Sequence, residues 1–157
     1  MNYFDGMSTP LGRLHIVVSD DAVLRIYFPN EQWTEEYIRR PKHPLILETK
    51  KQLAEYFKGE RKSFDLPLSP VGTEFQKRAW KVLAKIPYGQ TISYSDEAKR
   101  MKSPLSVRAV GSANGKNPLP IVIPCHRVVA KGGKLGGYSG GLHNKELLLT
   151  LEQGTSR

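Results

Sequence analysis

The chain has 157 residues, of which 39% are apolar and 25% charged, a composition typical of a globular protein with one domain or two small ones. It contains no apolar run of membrane-spanning length and no basic-then-apolar leader, so we expect a soluble protein of the cytoplasm, or of the nucleus in a eukaryote. Cys125 is the only cysteine, which excludes an internal disulfide and any zinc site built on several thiolates. We predict no metal and no cofactor.

The net charge of +9 lies in the second half of the sequence. Residues 1–70 contain 10 basic and 10 acidic residues, whereas residues 71–157 contain 14 basic and five acidic ones. Charge that only keeps a protein in solution would be spread along the chain. The segregation favours a polyanionic partner for the second half, because neutralising phosphates releases counterions. The alternative is a basic surface without a partner.

The first part of the sequence predicts strands followed by a helix. Residues 14–18 and 23–28 are β-rich runs on either side of the turn-forming Ser19-Asp20-Asp21, which indicates a hairpin. Residues 44–58 have loosely helical apolar spacing and end at Gly59. Two prolines make residues 65–70 an extended linker. We therefore predict a supporting α/β domain over residues 1–70 and a second domain over 71–157.

The second part begins with a helix capped by Thr73 and ended by Pro87-Tyr88-Gly89. Two short helices are predicted next. One begins near Ser95, with two acidic residues at its positive end. The other begins near Ser103 or Ser106, has Pro104 in its first turn and stops at Asn114-Gly115. Two short helices joined by a tight turn in a basic region indicate a helix-turn-helix.

The second short helix carries one long cation, Arg108, among very small side chains over residues 109–113. A helix that reads the major groove needs several long polar side chains to reach the base edges. Small residues instead let the backbone approach DNA closely while the arginine projects inward. Tight packing against a neighbouring helix also favours alanine and glycine, so both interpretations stay open.

The residues around Cys125 indicate nucleophilic chemistry. Residues 121–123 predict a buried strand, Pro124 ends it, and His126 directly follows the thiol. A thiol is mostly protonated at neutral pH, and a base can remove its proton, directly or through water. An imidazole base needs a third group to fix its tautomer, and a carboxylate does this well. Glu152 is the preferred candidate, and Glu146 on another helix face is its rival.

These residues resemble a known family, the O6-alkylguanine-DNA alkyltransferases, also called methylated-DNA–protein-cysteine methyltransferases. The string Pro124-Cys-His-Arg-Val-Val129 looks like the active-site signature of that family. Further similar motifs span roughly residues 75 to 153 in the same order, which chance matches rarely give. They are Pro87-Tyr-Gly, Ser93-Tyr94, Arg108-Ala-Val-Gly111, Asn117-Pro118, Tyr138-Ser-Gly-Gly141 and the final helix over residues 145–152. Residues 1–70 resemble the family only in general layout.

The resemblance implies a fold, a reaction and residue roles. The fold is α/β (α+β), with a small N-terminal sheet and helix, then a mainly helical domain holding a winged-helix-like helix-turn-helix. Cys125 would accept the alkyl group, His126 would act as its base through a water, and Glu152 would orient His126. Asn117 would brace the turn that joins the recognition helix to the active site.

The resemblance also assigns the residues that hold the substrate. The flipped guanine would be held by the hydroxyl of Tyr94, by the backbone of Cys125 and Val128, and by the pair Tyr138 and Ser139. The DNA minor groove would be contacted by Arg108, Ala109, Ser112 and Ala113. Arg108 would fill the gap left by the base, Tyr94 would crowd the target phosphate, and the glycine-rich loop over residues 132–141 would close over the base. Asn114 stands where some relatives carry an apolar side chain over the guanine.

The expected activity is single-use repair of double-stranded DNA by a monomer. The alkyl group of O6-alkylguanine, and of O4-alkylthymine, would pass irreversibly to Cys125, because an alkyl thioether has no good leaving group. Two rival functions are weighed against this one. A binding-only relative would lack the cysteine. A thiol hydrolase built on Cys125 and His126 would leave the basic half without a purpose.

Overall fold

The computed structural model describes residues 1–154, which form two compact units. The first is Met1–Val71 and the second begins at Gly72. The first contains a β-sheet and one long helix, and the second is mainly helical. The predicted α/β class is therefore confirmed. Within residues 1–154, no helix is both long and apolar enough to cross a membrane.

The sheet of the first unit has four strands in the order β3-β2-β1-β4. The strands are β1 (Tyr3–Thr9), β2 (Gly12–Val18), β3 (Val23–Tyr27) and β4 (Ile38–Arg39). The predicted hairpin is confirmed, because β2 pairs with β3 in antiparallel register. β1 and β4 were not predicted. β1 is hard to detect because it contains Asp5 and Gly6, residue types that are depleted in strands.

Asp5 is a buried carboxylate within this sheet, 4% exposed. It accepts hydrogen bonds from Arg39 at 3.0 Å and from Lys50. Burial alone would raise the pKa of Asp5, but its bonds to Lys50, the Gly6 backbone and Arg39 outweigh that effect and lower it. Its negative charge is matched by two cations.

The helix α1 (Pro44–Phe57) follows the sheet. Pro44 occupies its first turn, where a missing N–H costs nothing, and the His43 ring accepts a hydrogen bond from the Leu45 amide at 3.1 Å. Gly59 follows the helix with φ near 76°, a left-handed conformation that glycine adopts without strain.

The segment over residues 65–70 is extended, as two prolines require. It also pairs with the edge of the sheet, which was not predicted. The Val23 amide donates to the Pro67 carbonyl at 2.7 Å, and the Ser69 amide donates to the Val23 carbonyl at 3.1 Å. These bonds attach the segment to the first unit.

The second unit begins with α2 (Glu74–Ala84). Thr73 caps it as predicted, and Gln76 completes a capping box by accepting from the Thr73 amide at 3.0 Å. Trp80 is buried on this helix and donates its indole N–H to the Ala113 carbonyl at 2.9 Å. This bond ties α2 to the second helix of the pair that follows.

The helix pair consists of α3 (Tyr94–Arg100) and α4 (Val107–Gly115). Ser93, not Ser95, caps α3, and its hydroxyl accepts from the Asp96 amide at 3.0 Å. Pro104 lies in the turn before α4 rather than in its first turn, so that prediction was wrong. The predicted left-handed stop at Asn114-Gly115 was wrong as well, because both residues are helical.

The apolar residues 121–123 do not form the predicted strand. They belong to a turn in which Ile121 has φ near 76°. Asn117 holds this turn: its amide nitrogen donates to the Ile123 carbonyl at 2.7 Å and its oxygen accepts from the Leu119 amide at 2.9 Å. The run is apolar because it is buried, and burial alone does not distinguish a strand from a compact turn.

After this turn the chain passes through a short 3₁₀ turn, Cys125–Arg127, into β6 (Val128–Val129). β6 pairs in parallel with β5 (Ile92–Ser93), which directly precedes α3. The final helix is α5 (Leu142–Gln153). These elements place Cys125, the start of α3 and the glycine-rich loop around one pocket.

Candidate active site

Cys125 lies in the wall of a pocket of about 260 Å³. Its side chain is almost fully buried, with 5% of the residue exposed. Four residues predicted from the sequence are brought together here, namely Tyr94, Cys125, Tyr138 and Ser139. The remaining lining residues are Gly111, Asn114, Gly115 and Gly137.

His126 and Glu152 form a fully buried pair beside the thiol-bearing turn. The His126 Nε2 and a Glu152 carboxylate oxygen are 2.7 Å apart. Arg127 donates two parallel hydrogen bonds to the same carboxylate, from Nε at 2.8 Å and from Nη2 at 2.9 Å. Its third nitrogen donates to the Ile86 carbonyl at 2.7 Å. Glu146, the rival partner for His126, is exposed on α5.

This geometry fixes the tautomer of His126. Burial alone would raise the pKa of Glu152, but hydrogen bonds from His126 and Arg127 outweigh it and lower the pKa to about 2. An ionised carboxylate only accepts hydrogen bonds, so the imidazole proton must be on Nε2. Burial lowers the pKa of His126, which keeps the ring neutral. Its Nδ1 is therefore an unprotonated acceptor, and no residue between 1 and 154 donates to it.

The thiol itself needs a base. Burial raises the pKa of Cys125 to about 11, although a hydrogen bond from Asn117 and the positive charge of Lys145 both lower it. At neutral pH the resting side chain is a thiol, and a thiol is a poor nucleophile compared with its thiolate. A neutral imidazole with a free Nδ1 on the adjacent residue suits the removal of that proton.

Lys145 is completely buried on α5, and its ammonium group joins two parts of the site. It donates to the Val128 carbonyl at 2.6 Å and to the Gly137 carbonyl at 3.1 Å. Burial lowers the pKa of Lys145 to about 8, and the charge of Cys125 acts in the opposite direction. The ammonium group thus fastens the glycine-rich loop to the strand that follows Cys125.

Two family models match the chain. Residues 2–70 match the 6-O-methylguanine DNA methyltransferase, ribonuclease-like domain, and residues 74–154 match the 6-O-methylguanine DNA methyltransferase, DNA binding domain. The chain belongs to the 6-O-methylguanine DNA methyltransferase family. The resemblance inferred from the motifs is thereby confirmed.

Individual relatives of this methyltransferase agree along nearly the whole chain. The constitutive methylated-DNA–protein-cysteine methyltransferase of Bacillus subtilis is 46% identical over 159 residues, which cover 98% of this chain and 96% of the relative. That of Methanosarcina mazei is 53% identical over 143 residues, covering 90% and 85%. The crystal structure of Mycobacterium tuberculosis OGT in complex with DNA matches with a TM-score of 0.92 and 38% identity, covering 96% and 92%.

The glycine-rich loop of the methyltransferase lies against Tyr94. The Tyr94 hydroxyl donates to the Gly137 carbonyl at 3.5 Å. A side chain at Gly136 would meet that hydroxyl at 2.7 Å, and Gly136 also has φ near 74°, so both space and backbone require glycine there. The loop therefore lies against Tyr94 at one side of the pocket, and the glycine at position 136 keeps that approach close.

The residues predicted to contact DNA divide into two groups on α4. Arg108, Ala109 and Ser112 are exposed. Ala113 is 3% exposed and its carbonyl accepts from Trp80, so it packs within the second unit, and its predicted contact with DNA stays a prediction. The small residues of α4 therefore form two faces. Ala109 and Ser112 lie on an exposed face, and Ala113 lies on a face that packs within the second unit.

Val128 was predicted to hold the guanine through its backbone, and this role stays a prediction. It is fully buried, and its carbonyl already accepts the Lys145 ammonium group. The Val128 carbonyl is not among the groups that line the pocket. Any contact with a base would have to share this oxygen with the lysine.

Sequence reasoning missed Arg127, Lys145 and Glu97. Arg127 lies in the signature string, but nothing in its spacing shows that it binds Glu152. Lys145 lies seven residues before Glu152, which places both on one helix face, and this was a usable signal. Glu97 was predicted only as an acidic residue at the positive end of a helix, where it does lie, and its complete burial was not predicted. Glu97 is four residues before the apolar Met101, a spacing that puts both on the same face of α3, and Met101 is buried.

Proposed function

We propose that this protein repairs DNA by transferring the alkyl group of O6-alkylguanine, and of O4-alkylthymine, to Cys125, once per molecule. Membership of the methyltransferase family supports the reaction class. The observation that carries the assignment to a residue is the position of Cys125, the only cysteine, in a pocket wall beside the buried His126–Glu152 pair. A pocket of about 260 Å³ is slightly smaller than the usual range for sites of drug-sized ligands, which suits a single base.

In the proposed step, His126 takes the thiol proton through a water on its free Nδ1. The thiolate attacks the carbon bonded to the O6 atom. A carbon–sulfur bond forms, the carbon–oxygen bond breaks, and the electron pair of that bond stays on the base. The imidazolium returns its proton to the base through the water. Glu152 stabilises the transient imidazolium, because its two oxygens already face the ring and Arg127.

Asn117 and Lys145 are proposed to stabilise the thiolate. The amide of Asn117 bonds the Cys125 side chain and braces the turn that carries it. Lys145 contributes the positive charge that acts on Cys125 inside the site. The product is a thioether. It has no good leaving group, so the reaction ends with an alkylated protein.

The alkylated edge of a base is inaccessible within the helical stack, so we propose that the base leaves the duplex at a cost of a few kcal/mol. The exposed face of α4 (Arg108, Ala109 and Ser112) would lie in the minor groove, with Arg108 filling the gap. Tyr94 would crowd the target phosphate, and Tyr138-Ser139 would hold the base. Exposed cations surround this helix pair and would contact phosphates: Arg78, Lys81, Lys85, Lys99, Arg100, Lys102 and Lys116.

The proposed compartment is the one that contains the DNA, the cytoplasm in a prokaryote or the nucleus in a eukaryote. The proposed active form is a monomer, because one chain supplies every residue named in the mechanism.

A stoichiometry experiment tests this function. A fixed amount of protein is titrated with duplex DNA carrying labelled O6-methylguanine, and the repaired fraction is measured. We expect repair to stop at one lesion per protein molecule. Tight binding without repair would favour a protein that only recognises the lesion, and repair beyond one lesion per molecule would favour a hydrolase. Either result would overturn the proposal.

A further inference from the structure

The carboxyl group of Glu97 is completely buried on α3 and has little to neutralise it. One of its oxygens accepts from the Asn114 amide nitrogen at 2.7 Å. Its other oxygen, and the Asn114 amide oxygen, have no hydrogen-bond partner among residues 1–154. Within the same residues, no basic side chain forms an ion pair with Glu97. A buried carboxylate with one hydrogen bond is costly, whereas the neutral acid is not.

This carboxyl group is next to the reaction pocket. Asn114, its only hydrogen-bond partner among the described residues, lines the pocket with Cys125 and Tyr94. Burial is the main reason that the pKa of Cys125 is raised, and a negative charge on Glu97 adds to that effect. Burial raises the pKa of Tyr94 too, and the same charge contributes. An ionised Glu97 therefore opposes the formation of a thiolate.

We propose that Glu97 is a positioning residue for alkyl transfer, whose neutral form keeps negative charge away from the thiol and orients the amide of Asn114 in the pocket wall. This role rests on the proposed function. A carboxylate can only accept, so it holds the amide with its nitrogen towards Glu97. A carboxylic acid can donate, so it binds the amide oxygen and turns the NH₂ group to the other side. The proton on Glu97 thus sets which polar atom of Asn114 is bound and which one is left without a partner.

Glu97 changes its protonation state in the neutral pH range. Burial raises the pKa of Glu97 to about 7, and the bond from Asn114 only partly offsets it. Below this value the group is neutral and the thiol is easier to ionise. Above this pKa Glu97 is charged and opposes ionisation of Cys125. The transfer rate therefore rises less with pH than it would without that charge.

The effects of other titratable and charged groups on the transfer rate must be distinguished from the effect of Glu97. On the elements around α3 these groups are Tyr94, Cys125, Lys145, exposed Arg108, and Arg78, which donates to the Met101 carbonyl at the end of α3. Lys145 has a pKa of about 8, and its loss of charge also slows transfer as pH rises. A variant of Glu97 leaves the Lys145 effect in place, so a ratio of rates isolates Glu97.

The test compares single-turnover transfer rates of the wild type and Glu97→Gln between about pH 5.5 and pH 9. The substrates are methylated duplex and the free base O6-benzylguanine. Glu146→Gln, which removes an exposed carboxylate of the same unit, is the control. We expect the rate ratio of Glu97→Gln to wild type to rise about three- to tenfold from pH 6 to pH 8.5, as one buried charge would cause. The Glu146→Gln ratio should stay flat.

Identical pH profiles of Glu97→Gln and wild type would overturn the role of Glu97 and leave the proposed function intact. A wild type that transfers no alkyl group at any pH would overturn both. If Glu97→Gln fails to fold, carbon-13 NMR of the wild type decides the question. One glutamate carboxyl should then titrate near pH 7, and titration of every glutamate at or below its ordinary pKa would overturn the proposal.

Discussion

In the first unit the buried carboxylate Asp5 accepts from two basic side chains, whereas in the second unit the buried carboxyl group of Glu97 meets only the amide of Asn114. Polar atoms without partners among residues 1–154 also occur on Asn114 and His126 in the second unit and on Arg25 in the first, where the same guanidinium group still pairs with Glu31. Incomplete pairing is costly in a folded interior. Full pairing at Asp5 is what a purely structural carboxylate needs, whereas incompletely paired titratable groups beside a pocket are typical of functional sites.

The largest expected effect comes from Cys125→Ala. Transfer should be abolished, because Cys125 is the only cysteine and no other thiol is present to accept an alkyl group. Affinity for DNA should persist, since Cys125 lies in the pocket and not on the exposed face of α4. Gel-shift titration beside the transfer assay checks both. A loss of DNA binding would contradict the separation of pocket and surface.

Glu152→Gln should have the next largest effect. It leaves Arg127 buried without its anion and frees the His126 tautomer, so transfer should fall about a hundredfold and stability by about 3 kcal/mol. The pKa of Glu152 is lowered from 4.5 to about 2 on folding, so its stabilisation is complete above pH 4.5 and is lost as pH falls towards 2. Urea unfolding across that range measures the loss. Glu146→Gln is the matched control, and an equal acid sensitivity in both variants would refute the account.

Arg108→Ala should have an intermediate effect that depends on the substrate. Repair in duplex DNA should slow by about tenfold if the arginine offsets the few kcal/mol needed to extrude a base. Reaction with free O6-benzylguanine should not change, because Arg108 does not line the pocket. Parallel rate measurements on the two substrates check this. Equal loss on both would remove the role of Arg108 in base extrusion.

Asp5→Asn should have the smallest effect on repair, because Asp5 lies in the first unit, whereas the residues that line the pocket belong to the second. It removes two ion pairs whose cations are partly exposed, 64% for the Arg39 side chain and 25% for Lys50, so stability should fall by only about 1 kcal/mol. The transfer rate should match the wild type. Thermal unfolding and the transfer assay test this, and a slower transfer by folded Asp5→Asn would show that the first unit contributes to the chemistry.

The sequence predicted the parts of the fold that depend on local signals. The Thr73 cap, the turn between β2 and β3 and the stop at Gly59 rest on residues that favour those structures by themselves. Residues 121–123 were predicted wrongly because their turn depends on Asn117, which bonds across six residues. The apolar character of residues 121–123 does not indicate that this hydrogen bond forms.

The candidate site was predictable to a similar degree. The pairing of His126 with Glu152 followed from the chemical need for a carboxylate and from the family resemblance. The grip of Arg127 on Glu152 spans 25 residues, and the Glu97–Asn114 pair joins two helices across 17. Such contacts depend on how helices pack, and a single sequence does not record that packing. Lys145 was missed as well, although its spacing of seven residues from Glu152 places both residues on one helix face.

The central claim is that an irreversible carbon–sulfur bond forms at Cys125. The most direct measurement is mass spectrometry of the intact protein and of its peptides after incubation with excess methylated duplex. The account predicts one added methyl group per molecule, located on the peptide that contains Cys125 and stable on prolonged incubation. An unmodified Cys125 after full exposure, or a methyl group on any other residue, would contradict it.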